Sequence, residues 1–196
     1  MADTWEENVP TYNEIDSTFG DGDHGITIGK IAKTFRQAVE AWTDQPFKPF
    51  LKSLSSAVMG VGGGSAGPLY GMLVEGLSDP LDAETEEIDA GLLKAMFVGS
   101  RAAMQSVTKA QVGEKTMMDA LLPAVAAAED CEGDIPEILA VAAAAATAGA
   151  QATTEMVSHF GRARVYGERT LGTPDAGAMS TAAFFQGLSL GAPHTT

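Results

Sequence analysis

The chain has 196 residues, 45% of them apolar, and a formal net charge of −14. That is enough apolar material for one folded domain with its own core, and it excludes a disordered chain. The acidic excess argues against nucleic acid as a ligand, since phosphate backbones are held by clustered Lys and Arg; any phosphate handled here needs metal ions to offset the protein's own charge.

The first ten residues, "MADTWEENVP", are acidic and lack the apolar centre of a signal peptide. A first helical stripe follows at Ile28, Ile31, Phe35, Val39 and Trp42, spaced by three and four. A helix is expected at Pro68–Leu73, and a second stripe runs through Ile88, Leu92, Met96, Ala103 and Val107, with acidic "DAETEE" at its start. Gly99 falls on that stripe and would let a neighbouring helix approach closely. Residues 116–129 read as helix, kinked or divided by Pro123. A further helix starts at Asp134, with Pro136 in its first turn and Glu137 placed for a capping box, and is expected to run to His159 and stop at Gly161. Within it, "ILAVAAAAATAGA" at 138–150 is too short and alanine-rich to span a bilayer; it reads as a close-packed helix rather than low complexity. A last helix covers 176–190. No β-branched run alternates and no hairpin signal appears, so the expectation is an all-α chain, one domain over 1–196, cytoplasmic and with no membrane partner. The single cysteine, Cys131, suits a reducing compartment, and no Cys/His set suggests zinc.

The unusual sequence lies between helices, in three places. "IDSTFGDGDHGIT" holds Asp16, Asp21 and Asp23, whose carboxylates suit a hard cation such as Mg²⁺, with Gly20, Gly22 and Gly25 allowing them to converge. A calcium EF-hand fails at Gly25, Ile26 and Ala32; a solvated acidic turn capping the next helix is the alternative. "MGVGGGSAG" surrounds Ser65 with Gly60, Gly62, Gly63, Gly64 and Gly67 ahead of a helix. It is either an anion nest or a tight packing turn, and it matches no Walker loop. "GRARVYGERTLGTPDAG" concentrates Arg162, Arg164 and Arg169 with Glu168 and Asp175, either a phosphate grip or a surface ion network. Together, an acidic loop, a glycine nest and an arginine loop are what a nucleotide diphosphate with bridging Mg²⁺ requires.

Four motifs in order, "GDGDHG", "GGGSAGPLYG", "GEKTMMDALLP" and "GRARVYGERTLGTPDAGAMS", resemble the ADP-binding L subunit of dihydroxyacetone kinase and the equivalent C-terminal domain of single-chain ATP-dependent kinases. The resemblance covers most of the chain. It implies a closed barrel of about eight antiparallel amphipathic helices carrying ADP or ATP and two Mg²⁺ ions at one rim. On it, Asp16, Asp21 and Asp23 hold the metals, and His24 and Thr27 contact the phosphates. Gly63, Gly64, Ser65 and Ala66 form the phosphate nest. Met117 lies near the base, Arg162 touches the nucleotide, Asp175, Ala176 and Gly177 form the adenosine turn, and Thr108 is a further contact. Two departures stand out. The family usually has Ser where this chain has Ala66, so either Ser65 supplies the hydroxyl from a shifted position or one phosphate hydrogen bond is missing, at about 1.5–3 kcal/mol. The chain before the acidic loop is also shorter than usual, so the first helix is expected to be truncated.

The resemblance further implies a phosphoryl-transfer subunit with no covalent catalyst of its own. Its partners would be a substrate-binding K subunit, which holds dihydroxyacetone or a related ketose, and a phosphohistidine-bearing M subunit that rephosphorylates retained ADP. A homodimer is compatible with it. The alternatives are a subunit using ATP from solution and a non-catalytic module that binds Mg²⁺ or nucleotide and regulates a partner. His159 and His194 are expected at the surface.

Overall fold

The computed structural model describes residues 1–192, and all regular structure among them is helical. The helices are α1 (Ala2–Glu7), α2 (Val9–Ser17), α3 (His24–Glu40), α4 (Phe47–Met59), α5 (Ala66–Ser78), α6 (Ala90–Val107), α7 (Met118–Asp130), α8 (Ile135–Ala152) and α9 (Ala176–Gly191). Helices α1 and α2 form one broken stave, because Pro10, in the first turn of α2, cannot donate to a carbonyl of the preceding turn. Each stave packs on the next in chain order, and α9 returns to α1 and α2, closing a barrel of eight antiparallel staves. The first stave, the one expected to be truncated, consists of two short helices of six and nine residues.

Local signals explain most boundaries. Asp89 caps α6 by accepting from the Leu92 N–H at 2.7 Å, and Asp134 and Glu137 form a full capping box at the start of α8. The "DAETEE" segment precedes α6 rather than opening it. Helix α8 stops at Ala152, seven residues before the expected His159, with a single 3₁₀ turn at Thr153–Glu155. The cause is partly local and partly tertiary: the Thr153 hydroxyl turns back to the Ala150 carbonyl, while the Thr153 and Met156 carbonyls are taken by the remote Lys115 ammonium. Pro123 does not divide α7. It leaves the Asp119 carbonyl without its usual i+4 donor, and that carbonyl faces Gly149 of α8 so closely that a Cβ there would overlap it.

The core runs the length of the barrel, with Trp5, Tyr70, Phe97, Phe184 and Phe185 fully buried. Ala120, Ala124 and Ala128 of α7 and Ala142, Ala146 and Ala150 of α8 are buried where the two helices pack, which accounts for the alanine tract. By length and composition alone, Ile135–Glu155 could cross a membrane; its apolar face instead packs on α7 and α9. The first stripe departs from expectation at its end: Val39 is exposed and Trp42, beyond α3, stacks on Phe50 at 5.3 Å. Val107 is likewise exposed.

Helices α5 and α6 cross at paired glycines, as expected for Gly99. A Cβ on Gly76 would lie 2.5 Å from both the Gly99 carbonyl oxygen and the Ser100 Cα. Alanine would gain up to about 1 kcal/mol of helix propensity there, but it meets backbone rather than a yielding side chain. Gly76→Ala is expected to cost a net ~1–3 kcal/mol, read as a Tm roughly 3–10 °C lower by circular dichroism. An unchanged Tm would contradict the crossing.

Candidate functional site

Because the staves alternate, α3, α5, α7 and α9 all begin at the same rim. Their first residues, His24, Ala66, Met118 and Ala176, line one cleft of about 560 Å³. Four helix N-termini therefore direct the positive ends of their dipoles at one place in a strongly acidic protein. The volume lies in the range of small-molecule sites.

The acidic loop forms one wall. Carboxylate oxygens of Asp16, at the end of α2, and of Asp21 and Asp23 all lie within 4.8 Å of one another. The loop is built by Asp16 itself, whose Oδ2 accepts from the N–H groups of Asp23 at 3.1 Å and His24 at 3.3 Å. Gly25 then allows α3 to start against α2, since a Cβ there would overlap the Val9 carbonyl. Hard oxygen donors at this spacing fit a divalent cation such as Mg²⁺. Arg162, from the opposite wall, makes an ion pair with Asp21 and holds its carboxyl below the ordinary value. Phe19 and Tyr166 add a tilted aromatic contact across the same mouth at 5.2 Å, with the Arg169 guanidinium over the Tyr166 ring.

His24 is fixed from behind. Its Nε2 lies 2.9 Å from the Ser180 hydroxyl, which also sits 2.7 Å from the Tyr70 hydroxyl. Burial pushes the imidazole below its ordinary pKa, while Asp16 and Asp23 pull it back up. Ser180 is thus a hub between the cleft and the core.

The second wall is the glycine nest. Gly63 and Gly64 have φ of 132° and 63°, conformations that side chains disfavour. Ser65, the residue before α5, makes no capping hydrogen bond and is exposed, whereas Ala66 is buried in the first turn. On the third wall, Met117 precedes α7, and Asp175 caps α9 by accepting from the Ala178 N–H at 2.8 Å. Burial pushes the Asp175 carboxyl up to about 7, against the lowering effect of the Ala178 N–H.

The residues that the resemblance assigns to the site all line this cleft except Thr27, which is buried beneath Gly63; of the other loop residues singled out in the sequence, Arg164, Glu168 and Arg169 are not among the lining residues. Thr108 is among the lining residues and accepts from the Ala110 N–H at 3.2 Å. His159 is exposed and is not among the lining residues; His194 lies outside the described residues. Sequence reasoning passed over Ser180, Tyr70, Lys115 and Asp119. For the last two a signal existed: "GEKTMMD" places a lysine four residues before an aspartate in a chain with 12 basic residues.

Known proteins resemble this chain over most of its length. The DAK2 domain model matches residues 18–190. The ADP-binding subunit DhaL of PEP-dependent dihydroxyacetone kinase 2 from Listeria innocua is 36% identical over 171 residues, 85% of this chain and 79% of that protein. The corresponding subunit of kinase 1 from the same organism is 32% identical, over 93% of this chain and 87% of that one. Human triokinase/FMN cyclase is 33% identical, but this chain spans only 31% of it. The crystal structure of the C. freundii dihydroxyacetone kinase with AMP-PNP and Mg²⁺ matches with a TM-score of 0.71 at 23% identity, over 97% of this chain and 32% of that one, a likeness of fold. With its family model covering residues 18–190 and two relatives matched over most of their own length, the chain belongs to the DAK2 domain family.

Proposed function

We propose that the chain is the nucleotide-carrying, phosphoryl-transferring subunit of a dihydroxyacetone-kinase-type enzyme. The observation that carries this reading is the placement of three converging carboxylates on the rim where four helix N-termini meet. Asp16, Asp21 and Asp23 would hold two Mg²⁺ ions, which when bound neutralise charge on the phosphates. The backbone N–H groups of Gly63, Gly64 and the first turn of α5 would cradle phosphate oxygens, with the Ser65 hydroxyl in place of the one that Ala66 lacks. Arg162, which pairs with Asp21, would supply a forked donor for the same phosphates. Met117 and the Asp175–Gly177 turn would receive the adenosine, and His24, held by Ser180, would face the phosphates. Transfer then depends on positioning and charge neutralisation, with the accepting ketose bound on a separate K subunit. The similarity to two DhaL subunits favours retained ADP rephosphorylated by an M subunit.

The test is to purify the protein without added nucleotide, denature it and identify what is released, before and after prolonged EDTA treatment. Stoichiometric ADP that leaves only with the metal is the expected result. An empty protein that binds ATP reversibly with Mg²⁺ would replace the retained-coenzyme mechanism by use of ATP from solution. A protein that binds neither nucleotide would overturn the reading in favour of a regulatory module.

A further inference from the structure

The cleft contains a second, built-in cation. Lys115 lies in the loop between α6 and α7, at a left-handed φ of 59°, with its side chain buried. Its ammonium is surrounded by four backbone carbonyls: Thr153 at 2.8 Å, Met156 at 3.1 Å, Thr170 at 2.7 Å and Thr173 at 2.5 Å. No carboxylate among the described residues forms an ion pair with it. An ammonium has three N–H groups, so four carbonyl oxygens at these distances make a coordination shell of the kind a monovalent cation collects, with a hydrogen bond shared.

We propose that Lys115 is a positioning residue for nucleotide binding, its ammonium serving as a tethered monovalent cation that gathers the two segments forming the arginine and adenosine walls of the cleft. This rests on the reading of the cleft as a nucleotide site.

The carbonyls come in two pairs. Thr153 and Met156 belong to the turn after α8, and Thr170 and Thr173 to the strap leading into α9. Between them lies the segment that carries Arg162; directly after them comes the Asp175–Gly177 turn. Converging carbonyl dipoles repel one another, and the ammonium turns that repulsion into attraction. Once gathered, the segments are cross-tied by the Gly172 N–H to the Thr154 carbonyl at 2.8 Å and by the Asp175 N–H to the Thr153 hydroxyl at 2.8 Å. The lysine's own loop is rigid: Asp119 accepts from the Gly113 N–H at 2.6 Å and the Thr116 N–H at 2.7 Å. A hydrogen-bonded loop thus holds the charge at the junction of the two segments, and Arg162 and Asp175 take their places relative to it.

The experiment compares Lys115→Gly and Lys115→Met in the full chain. Glycine suits the left-handed backbone and opens a channel in place of the side-chain stem; methionine fills the stem's volume without the charge. Both are titrated with Mg-ADP in choline chloride and, at equal ionic strength, in ammonium, potassium or ethylammonium chloride. Amide hydrogen exchange over residues 153–175 is followed in parallel. We expect Lys115→Gly to raise the Kd for Mg-ADP at least about tenfold in choline and to speed exchange in that segment. Ammonium or ethylammonium should restore both in the glycine variant and neither in the methionine variant, a pattern that simple loss of packing does not produce. An unchanged Kd and unchanged exchange in Lys115→Gly would overturn the proposal. So would equal losses in both variants that no small cation reverses. If the wild-type chain binds no Mg-ADP, the nucleotide reading fails and the proposal with it; cation-dependent exchange in the glycine variant would then show that the carbonyl clamp stands by itself.

Discussion

Asp23→Asn is expected to remove Mg²⁺-dependent nucleotide binding and, in a complex reconstituted with the proposed K subunit, phosphoryl transfer. Of the three acidic-loop residues it is the most informative to change. Asp16 also holds the loop through two backbone N–H groups, and Asp21 carries the Arg162 ion pair, so substituting either disturbs more than the ligand charge. Neutralising Asp23 takes one negative charge from a crowded set without releasing either contact. The metal-free Tm should therefore be unchanged or higher, while the stabilisation by ligand is lost. For wild type, Mg-ADP at a hundredfold excess over its Kd adds about 2.7 kcal/mol, some 5–10 °C in Tm for a chain of this size. In Asp23→Asn that increment should vanish, with affinity down at least about 100-fold, the upper end of what loss of a metal's supporting residues costs. The double variant Asp21→Asn, Asp23→Asn should behave the same way without Mg-ADP rescue at any attainable concentration. A retained increment with normal metal dependence would sink the assignment of these carboxylates.

What could be read from the sequence follows the range of the interaction that encodes it. The three aspartates fall within eight residues and the glycine cluster within another eight, so local spacing alone brought them to attention. The cap at Asp134 is equally local, since its donor and acceptor sit three residues apart. The end of α8 was misplaced because part of its cause is remote: the lysine that takes the Thr153 and Met156 carbonyls is 38 and 41 residues away. Ser180 lies 156 residues from His24, and no period or motif in a single sequence marks such a pair. Helix α4 escaped notice for another reason. Pro49 in its first turn breaks the visual run of "FKPFLKSLSSAVM", although Leu54 and Val58 keep the helical step and are buried. Thr27 shows the same effect of range: its position in "GDGDHGIT" suggests a phosphate contact, while its burial against Gly63, 36 residues on, is not written in the local motif.

Trp5→Ala should be the most destabilising single substitution outside the cleft, at about 3–5 kcal/mol, or a Tm lower by roughly 10 °C. Helix α1 has six residues, too few to persist by helix propensity. Its ion pairs from Asp3 and Glu6 to Arg36 are exposed and contribute little. What holds it is Trp5, fully buried and edge-on to Phe35 at 5.5 Å and Tyr70 at 5.1 Å, with its indole N–H donated to the Ser180 carbonyl at 2.7 Å. The same Ser180 holds His24 through its hydroxyl, so the residue that closes the barrel also backs the cleft. Alanine at position 5 should therefore lower Mg-ADP affinity as well as Tm, measured well below the transition so that unfolding does not contribute. Trp5→Phe separates the two effects: it keeps the ring packing and loses one hydrogen bond, about 1 kcal/mol, with affinity nearly intact. If Trp5→Ala costs less than about 1 kcal/mol, α1 is not the closing stave. If it costs the full amount and leaves affinity untouched, Ser180 keeps His24 in place without help from the barrel seam.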